Sequence, residues 1–155
     1  MPPIQAPLPL STSRLQIIQQ YIACLESANA QTIHRLKNYV ARDIRLTTPV
    51  GDAHGVADFI AMIGGIHQSC GLLKMRVYDF AVGHDHDNMV LLKWDMQVQP
   101  AKKSFVIAGV SDLTFAIQAD KIVHQQDIWN PLPLYAEGTP LFSWAASRAR
   151  KKLGL

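Results

Sequence analysis

The sequence predicts an α+β domain in which a curved antiparallel sheet wraps around three N-terminal helices. Three observations predict it. Helical periodicity is confined to the first half of the chain, before residue 73. Four strand-like runs follow, joined by short turn-prone links that only antiparallel neighbours can use. The 155 residues suit one domain at ~150 residues each, large enough to bury a core without a disulfide or a structural metal.

Ser13 and Gln16 form a capping box, and Leu15, Ile18, Ile22 and Leu25 then recur at helical spacing beside Ile17, Tyr21 and Cys24, giving a first helix over about 13–27. Asn29 is a candidate cap for a shorter second helix carrying Ile33, Leu36 and Val40; Asp43 to Val50 then turns strand-like and stops at Pro49 and Gly51. From Val56, Phe59, Ile60, Ile63 and Ile66 repeat the helical period, with Gly64-Gly65 weakening the end of this third helix. Strands are expected over 73–82, 88–99, 104–118 and 121–129.

Val90, Leu92, Trp94, Met96 and Val98 alternate with a more polar set, so one face of that strand meets the core. The next strand is apolar on both parities: Phe105, Ile107, Leu113, Phe115 and Ile117 on one, Val106, Ala108, Val110 and Ala116 on the other. Three helices cover one face of so small a sheet. A second copy of the chain is the simplest cover for the other, which predicts a homodimer through the sheet. The expected organisation is an extended Pro-rich arm over 1–12, a single domain over 13–140 and a basic helical tail over 141–155.

Net charge is +3, but Arg148, Arg150, Lys151 and Lys152 lie in the tail, and without them 11 basic residues face 12 acidic ones. The body has no basic stripe to track a phosphate backbone, so nucleic acid is excluded as a partner. No run reaches the ~18 apolar residues of a membrane span. In the tail, Leu141, Phe142 and Trp144 precede the basic residues; this segment rests on an anionic membrane surface or packs on the body with its basic end solvated. Cys24 and Cys70 fall at apolar helical positions and read as free thiols. Together with an N-terminus that is Pro-rich rather than basic and then apolar, they place the protein in the cytoplasm.

Phosphate loops, paired Cys-x-x-Cys, Gly-x-Ser-x-Gly and His-Glu-x-x-His are absent, so no cofactor and no metal is expected. The cluster His84-Asp85-His86-Asp87 sits at a turn tip, which cannot converge ligands on a metal. Carboxylates inside apolar strands are more informative. Asp112 shares parity with Val110 and Thr114; if that face lines the interior, burial raises its proton affinity, and otherwise it meets solvent or a partner. Asp127 shares a face with Gln125 and Trp129, as in a polar-lined cavity or an edge strand facing water. Tyr21 stands in an apolar helical row, where a buried phenol needs a hydrogen-bond partner.

The segment Tyr21-Ile22-Ala23-Cys24-Leu25-Glu26, the stretch Thr48-Pro49-Val50-Gly51 with Gly55, the strand around Asp112, and Lys121-Ile122-Val123 leading to Trp129 together resemble the nuclear transport factor 2-like superfamily, nearest its ketosteroid isomerase and SnoaL-like members. The resemblance implies a cone-shaped fold holding a small apolar molecule. It matches Tyr21 and Asp112 to the isomerase oxyanion donors and puts Thr48 in the place of the base. A neutral hydroxyl cannot take a proton from carbon, so steroid isomerisation is not implied, and Asp127 is the acid that replaces the base. The catalytic set so implied is Tyr21, Asp112 and Asp127, with Thr48, Phe59, Ile63, Trp94, Gln125 and Trp129 around the ligand. The activity implied is isomerase- or cyclase-like acid–base chemistry; the alternative is a non-catalytic dimeric ligand-binding or scaffold module.

Overall fold

The computed structural model describes residues 11–83 and 88–137. The His84–Asp87 turn and the basic tail lie outside the described residues, as does the Pro-rich arm except for Ser11 and Thr12. Ser11, not Ser13, caps helix α1 (Thr12–Glu26), its hydroxyl oxygen accepting from the Arg14 N–H at 3.2 Å. Arg14 is buried beside it because its charge is matched: Nε donates to Asp120 at 3.0 Å and the guanidinium lies 4.4 Å from the Phe115 ring centroid. This ties the start of α1 to the far end of the sheet. Ile18, Tyr21 and Leu25 form the buried face of α1.

The expected second helix is instead a 3-10 helix over Ile33–Asn38. Asn29 makes a turn rather than a cap, its side-chain oxygen accepting from the N–H groups of Gln31 and Thr32 at 2.9 and 3.1 Å. The two buried anchors, Ile33 and Leu36, are three residues apart, a spacing that a three-residue turn places on one side. Val40 opens β1 (Val40–Thr48), which hairpins into β2 (Gly51–His54), a four-residue strand without apolar alternation that the sequence reading had missed. Helix α2 (Val56–Cys70) runs through Gly64-Gly65 and stops at Gly71, which takes a left-handed φ of 54°. A side chain there would also strike the Gln99 backbone.

Strands β3 (Leu72–Val82), β4 (Met89–Val98), β5 (Phe105–Phe115) and β6 (Ile122–Trp129) form the expected antiparallel meander. The sheet order is β2-β1-β6-β5-β4-β3, and the β1–β6 contact is parallel. This sheet curves around α1, α2 and the 3-10 helix. A five-residue helix, α3 (Leu132–Ala136), follows β6 and buries Leu134. The core is the inner parity: Leu92 and Trp94 of β4 and Leu113 and Phe115 of β5 are almost fully enclosed, each such side chain contributing about 1.5–3 kcal/mol by burial. On the outer parity of β5, Val106 is 63% exposed and Ala108 exposed, while Val110, Asp112 and Thr114 are half-buried.

Candidate functional site

On the inner face one carboxylate gathers the polar groups of three strands and a helix. Trp94 and Gly109 are cross-strand partners, and a side chain at 109 would collide with the indole. Glycine there lets the ring lie over β5. The indole N–H then donates to Ser111 Oγ at 2.8 Å, and Ser111, having accepted, donates its own proton to Asp127 Oδ1 at 2.6 Å. Ser111 and Asp127 face each other across β5 and β6.

From the other side, Gln125, two residues along the same strand face, donates from Nε2 to the same Oδ1 at 2.9 Å. Its amide is oriented by Tyr21 of α1, whose hydroxyl donates to Oε1 at 2.5 Å. Two chains of donors thus converge on one carboxylate oxygen. No hydrogen bond to the other oxygen, Oδ2, is found among the described residues, and Asp127 lines the adjoining cavity.

Burial pushes the Asp127 carboxyl from 3.8 up to about 6, against the pull of the bonds from Ser111 and Gln125. The Tyr21 phenol is raised well above 10 by its own burial and then by the charge of Asp127, so it stays a neutral donor. The cavity measures about 40 Å³ and is walled by Leu25, Ile63, Ile66 and Trp94, with His67 at its edge. Burial lowers His67 from 6.5 to about 4, so its imidazole is neutral at pH 7. Between about pH 4 and 6 the pair is uncharged, and above that range Asp127 makes the cavity negative. A carboxyl with its pKa raised to about 6, one oxygen anchored and an apolar cavity beside it, is equipped to take and return a proton.

Of the residues singled out in the sequence, Asp127, Ile63, Trp94 and Trp129 line the cavity. Tyr21 and Gln125 stand behind Asp127 as its support. The structure corrects three placements. Asp112 lies on the outer face, between Leu91 and Gln126, because the inner position at that point of β5 belongs to Ser111. It cannot donate into the cavity. Thr48 is occupied in the β1–β2 turn, accepting from the Val50 N–H at 3.2 Å and donating to the Gly51 carbonyl at 2.8 Å. Phe59 is fully buried in the core and does not line the cavity.

Sequence reasoning missed Ser111 and His67. Ser111 shares parity with Ile107, Leu113 and Phe115, the bulkier of the two apolar sets of β5, and volume would have pointed inward where counting could not. His67 follows Ile63 by four residues and so falls on the same helical stripe. Among the described residues no three His, Cys, Asp or Glu side chains converge as metal ligands. No helix there is long and apolar enough to cross a membrane.

Comparison with known proteins adds the following. A family model described as SnoaL-like domain matches residues 18–125. No curated sequence matches the chain. Among solved structures, a candidate SnoaL-like polyketide cyclase from Jannaschia sp. CCS1 superposes with a TM-score of 0.68 at 12% identity, covering 84% of this chain and 94% of that one. TerC co-crystallised with polyporic acid gives 0.67 at 13% identity, over 81% of this chain and 97% of its own. A candidate isomerase of the SnoaL-like family from Agrobacterium tumefaciens gives 0.60 at 20%, over 77% and 98%. At these identities the likeness is one of fold.

Proposed function

This chain belongs to the SnoaL-like domain family, and on that premise we propose that it binds a small, largely apolar carbonyl or enol compound against Asp127 and moves a proton on it, as an isomerase or cyclase does. The observation that carries this reading is the placement of Asp127: Oδ1 is held by Ser111 and Gln125, and the residue lines the cavity. Asp127 Oδ2 takes a proton from the carbon beside the carbonyl. The C–H electron pair becomes a carbon–carbon double bond and the carbonyl oxygen becomes an enolate, which is protonated again at carbon when Asp127 returns the proton. Neither Tyr21 nor Asp112 serves that oxygen, the first being bonded to Gln125 and the second lying on the outer face. The neutral imidazole of His67 is the donor the cavity offers instead.

The small cavity favours a second reading, a non-catalytic ligand-binding or scaffold module. The two part on one experiment: exchange of the α-hydrogens of 2-tetralone in D2O, followed by proton NMR. The wild type is expected to accelerate exchange, Asp127→Asn to lose at least 100-fold of that acceleration, in the ordinary range for a general base, and Asp112→Asn to match the wild type. Exchange no faster than in buffer removes the catalytic reading and leaves the binding module.

We further propose that two copies pair through the outer face of the sheet, where Leu91, Val106 and Ile128 are about half exposed or more. The unpaired state of both Cys24 and Cys70 supports a reducing, cytoplasmic setting.

A further inference from the structure

The site so described is too small for the ligand it is proposed to hold. A cavity of about 40 Å³ is small beside small-molecule sites, which run to about 300–1,000 Å³. Beyond His67 lies a surface groove of about 780 Å³ between the loop after α1 (Ala28, Asn29), helix α2 (Gly64, Gly65) and the start of β3 (Leu72). His67 is the one described residue that lines both spaces.

We propose that groove and cavity are one binding site with His67 at its neck, and that the ligand has a compact reacting end that passes His67 to Asp127 and a broader, amphipathic body that lies in the groove. This rests on the proposed function and adds to it the size and shape of the substrate. The groove wall mixes apolar surface from Ala28, Ile33 and Leu72 with polar surface from Asn29, His67 and Gln68, which suits a body that carries polar substituents on an apolar frame. The negative charge of Asp127 above about pH 6 disfavours a carboxylate at the reacting end and favours a ketone or hydroxyl. Gly64 marks the floor: a side chain added there meets no protein atom within 4 Å, so it would project into the groove rather than into the fold.

The test is an amide NMR titration of the full chain with 2-naphthol, whose hydroxyl is a compact end and whose fused rings supply the broader body, alongside Gly64→Phe and Gly64→Ala. One site predicts saturable shifts at both Asp127 and Gly64–Gln68, at least tenfold weaker binding in Gly64→Phe, and less than threefold weaker binding in Gly64→Ala. Shifts confined to Asp127 and its neighbours, with Gly64→Phe unchanged, overturn the extension and leave the catalytic reading intact. Shifts confined to the groove overturn the continuity at His67. No saturable shift anywhere overturns both the groove and the ligand reading on which it rests. Should Gly64→Phe fail to fold, nuclear Overhauser contacts from naphthol protons to Gly64 and Asp127 in the wild type decide the same question.

Discussion

Asp112 and Asp127 stand on neighbouring strands, yet they belong to different chemistries. Asp127 faces inward across from Ser111, receives two hydrogen bonds on one oxygen and is held near neutrality by burial. Asp112, one residue along from Ser111, faces outward between Leu91 and Gln126. The backbone treats both alike. What separates them is the two-residue period of the strand, which sends successive side chains to opposite faces and turns a register difference of one residue into the difference between a cavity wall and an outer surface.

The largest effect expected from this contrast is on stability. Trp94 and Lys93 are adjacent in β4 but on opposite faces, the first 2% exposed and the second lying over the Tyr78 ring on the outside. Trp94→Ala removes a buried indole and leaves Ser111 without its donor, a loss of about 3–5 kcal/mol. Lys93→Ala gives up an exposed cation–π contact worth less than about 1 kcal/mol. Urea unfolding of both variants measures the gap, and equal losses would break the comparison.

A second, smaller effect is a change in how stability depends on pH. The folded state binds the Asp127 proton more tightly than the unfolded chain does, about 6 against 3.8, so through this group stability falls as pH rises across that window. His67 runs the other way. Its folded value of about 4 lies below 6.5, so stability is lost as pH falls from 6.5 toward 4. Each slope reaches about 1.4 kcal/mol per pH unit, and over pH 4–6 the two oppose each other. Asp127→Asn keeps an oxygen to accept from Ser111 and Gln125 but removes the charge. It should therefore leave a stability that rises with pH across the window and ends on the order of 3 kcal/mol above the wild type at pH 7. His67→Gln should leave a stability that falls across pH 4–6. Unfolding midpoints taken from pH 4 to 7.5 would show both, and parallel profiles for wild type and Asp127→Asn would mean that the carboxyl is not desolvated.

Most of the architecture was legible because it rests on periodicity. The clean alternation from Val90 to Val98 and the stripes of α1 and α2 each bury one face, and a pattern with one apolar face leaves one solution. What failed did so where pattern gives no direction. The second helix became 3-10 because two anchors do not specify a helix type, and β2 was invisible because Gly51, Asp52, Ala53 and His54 have no alternation at all. Strand β5 is apolar on both parities, so the inward place of its polar residue stayed open and Asp112 stood in the reading where Ser111 stands in the fold. For Asp127 the company of Gln125 and Trp129 on one face was compatible with a cavity wall and with an edge strand meeting water, and it is the cross-strand place opposite Ser111 that turns this face inward. Thr48 matched a motif position, but its hydroxyl is claimed by the turn that Gly51 closes.

The smallest effect on the single chain, and the sharpest on the contrast of faces, is expected from the outer surface. Val106 and Ile128 are 63% and 55% exposed, and replacing such side chains alters a protomer by no more than about 0.5 kcal/mol. In a pair with twofold symmetry each change is made twice, on surfaces that meet. Lys at 106 would then set new charges inside an apolar contact that offers them no partner. Val106→Lys with Ile128→Lys should convert a dimer into a monomer by sedimentation velocity while leaving the urea midpoint of the protomer and the Asp127-dependent proton exchange unchanged. A wild type that sediments as a monomer would remove the proposed cover, and the double apolar character of β5 would then need a different occupant for its outer face.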